Sequence, residues 1–329
     1  MSGPKTEIPT FTFPQLRQDI ASTRPSHPTS NGTATPARIL IYEALILFLK
    51  DACSAGIPGQ SLSEVAGVQE MLDSYPLSIS FDSAVSSIVE SLQCRKTLLE
   101  LASKLGLAND PRLRSALHLG EKRIAALLVS IFNSKSEEDT VLRLRGHPAQ
   151  YFLDVVQDAL DRGFLMAPEH SRMARRIVRK LSEACDQLPS SIFITGITGR
   201  EEYRTFGGGF GDIYRASCGD EVVALKYMRA VHFLRGDELR RLRLKFCREV
   251  LVWKDLHHPH ILPFMGIDRN SYPSSLCMVS PWMEHGTVLK YLRDHGRTDV
   301  DKLLYEIAQG LEYLHLHDVV HGDLRGASI

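Results

Sequence analysis

The stretch that most restricts what this chain can fold into is residues 203–226, YRTFGGGFGDIYRASCGDEVVALK. Gly207, Gly208 and Gly209 are consecutive, and Gly211 follows after Phe210. Without Cβ atoms, glycines reach backbone conformations closed to other residues, and their amides can close on a bulky anion. Asp212-Ile213-Tyr214 resumes an apolar, β-leaning run, Val222-Val223-Ala224-Leu225-Lys226 is a second, and Cys218-Gly219-Asp220-Glu221 is the turn between them. This predicts a β-hairpin entered through a glycine loop. Alternation on the second strand puts Ala224, Lys226 and Met228 on one face. A small residue beside a lysine leaves room for a flat ligand next to a fixed positive charge, which is what a nucleotide needs. Glycine clusters by themselves equally mark turns and linkers; the lysine on the following strand is what separates the two readings here.

With 329 residues the chain suits about two domains. The hydrophobic content of 43% and charged content of 24% are those of an ordinary soluble globular protein. A formal net charge of zero gives no global argument for nucleic acid or a membrane surface. Cys53, Cys94, Cys185, Cys218, Cys247 and Cys277 are scattered, without a CxxC pair, and read as reduced thiols rather than a disulfide frame or a zinc site. The first residues lack the basic-then-apolar pattern of a secretory signal. The apolar stretch at 39–49 is too short to span a bilayer and contains Glu43, so no transmembrane segment is expected and the location is read as cytoplasmic.

Residues 1–35, rich in Pro, Ser and Thr, are expected to be a disordered tail. From 36 to 188 the pattern is helical. Thr35-Pro36 opens a helix to about residue 52, and Ser61 with Glu64 forms a capping box for a second, expected to stop before Pro76. A third covers 81–105 and ends at Gly106; a fourth runs from Asp110-Pro111 to Phe132; a fifth starts at His147-Pro148 and stops at Gly163; a sixth covers about 169–186. Six amphipathic helices with short connections describe a helical domain. His118 and His147 stand isolated and read as solvent-facing or capping residues. Arg172, Arg175, Arg176, Arg179 and Lys180 lie along one side of the sixth helix, a solvated face or a meeting place for acidic lipid or a partner.

The composition shifts at Pro189-Ser190-Ser191, and residues 192–195 form a short β-like run. After the hairpin, Asp237 can cap a helix carrying Leu239, Leu242, Phe246, Trp253 and Leu256. Glu249 falls on the apolar line of that helix, where a carboxylate needs a partner. Alone it reads as a half-exposed glutamate at the edge of the stripe; Lys226 supplies the alternative. Residues 261–266 and 276–280 read as two further strands, and 281–286 as a connector. Thr287 caps a short helix to about Leu292, and Leu303, Leu304, Ile307, Leu311 and Leu314 form one face of a long helix ending near His317.

In that order, glycine loop, V-A-L-K, helix glutamate and H-G-D-L resemble the protein kinases. The resemblance is to the tyrosine-kinase-like serine/threonine branch, in its fungal form with a helical region ahead of the kinase domain, and covers 190–329. It implies that Gly208 and Gly211 are the second and third loop glycines, while Phe206 stands at the first, with Gly207 beside it. It implies that Ile213 covers the adenine, that Ala224 of the third-strand motif also lines the nucleotide site, and that Lys226 holds the α/β-phosphates and pairs with Glu249. Ser280 would be the gatekeeper, Trp282 and Met283 the hinge whose backbone binds adenine, and Asp323 the catalytic base, with Arg325 at the usual lysine. The departures are Gly322 for the arginine of H-R-D, and Ser328, whose hydroxyl can still touch magnesium, for the metal-binding asparagine.

The expected fold is therefore α+β: an all-α helical domain, then a kinase small lobe of antiparallel sheet plus one helix, then the first helices of the large lobe. Its implied cofactors are ATP and Mg2+, and its implied partner is a protein substrate or signalling partner. D-F-G, the activation loop and A-P-E lie beyond the catalytic loop in such enzymes. The 329 residues taken alone are thus expected to be a truncated kinase domain without catalytic turnover. The alternative is a non-catalytic, pseudokinase-like adaptor using its helical domain for protein interaction.

Overall fold

The structure, a computed structural model, describes residues 41–55, 62–78, 83–208, 211–228, 234–268 and 277–326. The chain divides into two compact units, Met1–Pro189 and Ser190–Ile329. The expected tail, 1–35, lies outside the described residues.

Among the described residues the first unit is helical: α1 (Glu43–Ala55), α2 (Leu62–Ser78), α3 (Ala84–Lys104), α4 (Pro111–Phe132), α5 (Lys135–Leu142), α6 (Gly146–Asp161) and α7 (Pro168–Cys185). Side-chain caps explain several starts. The Ser83 hydroxyl accepts from Ser86 N at 3.2 Å, and the Asp110 carboxylate from Arg112 N at 2.8 Å with Pro111 in the first turn. Gly106 and Gly163, at φ 69° and 68°, end α3 and α6. Leu45 and Leu49 of α1, Ile88 and Leu98 of α3, Leu128 and Ile131 of α4, Phe152 and Leu153 of α6, and Ile177 and Leu181 of α7 are buried.

Two expectations for this unit are corrected. α2 continues through Pro76 to Ser78, because a proline in the last turn forfeits a single N–H bond and does not break the turns before it. A helix absent from the six, α5, intervenes before His147: KSEEDTVL is polar and only eight residues long, so no apolar period announces it. Its Glu138 is buried, and Arg176 and Lys180 of α7 reach it at 2.9 and 2.7 Å. Part of the basic side of α7 is therefore an internal clamp.

The second unit begins with a short 3₁₀ turn, Ser190–Ile192, and among the described residues builds a seven-stranded sheet from β1 (Phe193–Ile194), β2 (Ile197–Thr198), β3 (Phe206–Gly208), β4 (Gly211–Cys218), β5 (Glu221–Tyr227), β6 (Gly266–Asp268) and β7 (Cys277–Pro281). The order is β1-β6-β7-β5-β4-β2, with β3 also on β4. β2 and β3 take opposite ends of the same edge of β4, and all pairs are antiparallel except β1 with β6. Helices α8 (Gly236–Trp253), α9 (Val288–His295) and α10 (Val300–Leu316) are the helices of this unit among the described residues. An α+β architecture is thus observed. One face of the sheet packs Ala216, Val223, Leu225, Cys277 and Val279 into a buried cluster.

Several local expectations shift. Residues 261–265 are not a strand. Pro263 brings no N–H to a ladder, and the strand starts at Gly266, where a Cβ would stand 2.5 Å from Ile194 Cγ2 and 2.9 Å from Ile192 O. That glycine, at φ 155°, lets β1 lie against β6. Pro281 ends β7 rather than opening the connector, as a proline can at the end of a strand. α8 starts at Gly236 after Arg235, without a side-chain cap, so Asp237 lies inside its first turn; the helix ends at Trp253, before Leu256. Thr287 caps α9 as expected, its hydroxyl accepting from Lys290 N at 3.3 Å, and α9 runs on to His295.

Candidate nucleotide site

The sheet register assembles one face of chemically distinct residues. Phe206 on β3 lies opposite Ile213 on β4; Ile213 lies opposite Lys226 on β5, and Lys226 opposite Met278 on β7. One step along, Arg215, Ala224 and Ser280 form the next cross-strand row. Directly opposed residues share a face, so Ile213, Ala224, Lys226 and Ser280 stand together, with the small pair Ala224 and Ser280 beside the lysine.

Lys226 Nζ donates to Glu249 Oε1 at 2.9 Å. Phe246, Cys247 and Val250 are the buried residues of α8, so the same packing that seats the helix aims Glu249 at the sheet. Both partners remain partly exposed, 36% for the lysine side chain and 38% for the glutamate. A half-exposed ammonium already oriented by one carboxylate keeps donors for an anionic ligand.

The glycine hairpin is fixed at its base. Gly207 lies opposite Asp212 and Gly208 opposite Gly211. Gly211 has φ 148°, and a Cβ there would collide with the Tyr227 carbonyl oxygen, so only glycine lets β4 start this close to the end of β5. Asp212, 5% exposed, takes an ion pair from Arg204 Nη1 at 3.1 Å. Nothing in the spacing of Arg204 and Asp212 announces this pair before the register is known. Gly209 lies outside the described residues, as does Ser328.

Where the hinge is expected, the Trp282 N–H donates to Val222 O at 3.0 Å, and Met283 O accepts from Gly286 N at 3.0 Å. The Trp282 N–H is thus engaged within the protein, while the Met283 carbonyl keeps a second lone pair. Behind the sheet, burial with Asp268 nearby pushes the Cys277 thiol up to about 12, leaving it protonated and unreactive at neutral pH. Asp323 is carried by the turn after α10. Its N–H donates to His321 Nδ1 at 3.3 Å, its carboxylate pairs with Arg325 Nη2 at 3.0 Å, and Gly322 before it has φ 73°. Among the described residues no group of three or more His, Cys, Asp or Glu side chains is gathered as metal ligands.

Residues 203–329 match the family model for protein tyrosine and serine/threonine kinases. These residues are part of a protein kinase domain. The curated relatives of the kinase segment include the dual specificity protein kinase zakA of Dictyostelium discoideum, 30% identical over 130 residues, which are 37% of this chain and 16% of that protein. The human serine/threonine-protein kinase TNNI3K is 30% identical over 128 residues, 37% of this chain and 15% of that protein. The serine/threonine-protein kinase STY46 of Arabidopsis thaliana is also 30% identical over 128 residues, 37% of this chain and 21% of its own length. The chain thus spans about a fifth or less of these relatives. Kinases of this family use ATP and Mg2+ and act on proteins. No helix among the described residues is long and apolar enough to cross a membrane.

Proposed function

We propose that the second unit binds ATP on the face formed by Ile213, Ala224, Lys226 and Ser280, and belongs to a serine/threonine protein kinase acting in signalling inside the cell. The observation that carries this reading is the 2.9 Å pair between Lys226 and Glu249 beside the glycine hairpin. Lys226 would take the α- and β-phosphates, with backbone amides of Gly207, Gly208 and Gly211 above them. Ile213 and Ala224 would lie on the adenine, Ser280 would leave depth behind it, and Trp282 and Met283 would border its edge. Asp323 would orient an acceptor hydroxyl and take its proton. ATP with magnesium supplies the transferable phosphoryl group. What these residues contribute is placement and charge, which is most of what phosphoryl transfer asks of a protein. The free cysteines fit a reducing interior.

A second reading is a nucleotide-binding adaptor without turnover, which also assigns protein interaction to the helical unit. It is favoured by the Asp323 carboxylate being held by Arg325 at 3.0 Å, and by glycine in place of the arginine before it. Thermal shift of the 329-residue chain with ATP, with and without magnesium, tests binding. Phosphate incorporation lost in Asp323→Asn supports the phosphotransferase. Binding with no incorporation supports the adaptor. No binding, or binding unchanged in Lys226→Met, overturns both.

A further inference from the structure

Phe206 stands where the glycine pattern leads one to expect no side chain, and its ring is stacked on Trp282 at 6.2 Å between centroids with 28° between planes. The two residues are remote in the sheet. Phe206 is on β3 and Trp282 follows β7, with β4 and β5 between them. Strands lie about 4.8 Å apart, so three steps separate the two backbones by roughly 14 Å. Rings that start this far apart meet only by leaning toward one another.

The face over which they lean follows from the register. Phe206 opposes Ile213, and so shares its face. Trp282, two residues past Ser280 and still bonded to β5 through Val222 O, continues the face of Ser280. Arg215, in one row with Ala224 and Ser280, sets its guanidinium 5.7 Å from the Trp282 ring centre and 3.8 Å from Glu284. Arg215 Nε is buried without a partner among the described residues. A cation–aromatic–aromatic stack therefore crosses the small-residue row, Ala224 and Ser280, that offers room for a flat ring.

We propose that Phe206 and Trp282 form an aromatic clasp over the base-binding part of this face, so that Phe206 sets how readily a nucleotide enters. This rests on the nucleotide reading above. In the closed arrangement the rings occupy the approach to Ala224, and a purine docks only after the stack opens. The apparent affinity is then the intrinsic affinity reduced by the fraction of molecules that are open. An aromatic pair is worth about 0.5–1.5 kcal/mol, so opening it permanently should tighten binding roughly 3- to 14-fold. Phe206 is 44% exposed, so its removal leaves no cavity in the core.

The test uses the 329-residue chain and an N-methylanthraniloyl adenosine nucleotide, titrated in magnesium buffer against wild type, Phe206→Ala, Phe206→Leu and Lys226→Met. The expected result is tighter binding by Phe206→Ala, an intermediate gain for Phe206→Leu, and loss in Lys226→Met. With Trp253→Phe as background, Trp282 is the sole indole. Its emission should change on nucleotide addition when Phe206 is present, and change far less in Phe206→Ala. Lys226-dependent binding that Phe206→Ala leaves equal or weaker overturns the clasp and spares the site; weaker binding would mean that Phe206 stacks on the base instead. No binding by wild type or by Phe206→Ala overturns both.

Discussion

Lys226 Nζ lies 2.9 Å from Glu249 Oε1, joining the strand that carries the small-residue row to the helix packed beside it. The two residues are 23 positions apart in the chain, yet the pair needs no burial of charge, since each side chain keeps more than a third of its surface in water. Its value lies in orientation rather than in stability.

Lys226→Met should therefore abolish nucleotide binding while hardly changing the fold. Ion pairs this exposed contribute about 0–1 kcal/mol, which for a chain of this size is a shift of no more than about 4 °C in Tm. Calorimetry without ligand and a nucleotide titration measure the two effects separately. A large loss of Tm would make the pair structural.

Gly211→Ala should damage both. A side chain there meets the Tyr227 carbonyl in a backbone conformation that L-residues rarely adopt. Strain of this kind costs about 1–3 kcal/mol. Urea unfolding followed by Trp282 emission in the Trp253→Phe background should show the lower midpoint, with the nucleotide-induced shift lost.

Gly120→Ala sets two effects against each other. In a helix interior alanine gains about 1 kcal/mol over glycine. Here, however, the new Cβ meets the ring of Tyr42, which is itself buried. Overpacking of a filled core costs about 1–3 kcal/mol, so the variant should be less stable than wild type. Tyr42→Leu in the same chain should recover part of the loss, a coupling that a double-mutant cycle reads directly.

Glu138 gives the helical unit an acid-sensitive contact. The Lys180 hydrogen bond, opposed by burial and aided by Arg176, holds its carboxyl below the usual glutamate range. A lowered folded-state value means that the contribution is fully present above the ordinary unfolded value and is lost as pH falls through the folded one. Wild type should lose stability on acidification below about pH 4.5 more steeply than Glu138→Gln. At neutral pH the variant should be less stable by about 1–2 kcal/mol, since a charge-assisted bond is removed while Arg176 and Lys180 can still turn to water. Parallel chemical-denaturation curves from pH 3 to 7 measure the difference in slope.

What the sequence made legible was what short-range chemistry dictates. Asp110-Pro111 set the start of α4 because cap and proline act within one turn. The V-A-L-K run and the glutamate on an apolar helix line pointed to a pair that the structure contains. Illegible were the features decided by distant contacts. α5 is polar in sequence and is held by a clamp from residues 38 and 42 positions away. The strand expected at 261–266 moved because Gly266 answers to Ile194, not to its own neighbours. The stack of Phe206 on Trp282 depends on a register that no local pattern encodes. The apolar line of α10 was read correctly as a line, yet Leu314 is buried while Leu304 is 58% exposed, because packing covers only one end of it.

The parallel pairing of β1 with β6 has a practical consequence for anyone excising this lobe. Family matching begins at residue 203, but the sheet is already under way at Phe193. A fragment cut at the matched boundary would lose the outermost strand on one side and β2 on the other, baring the groove that Gly266 keeps open for Ile194. Expression trials should start no later than Ser190.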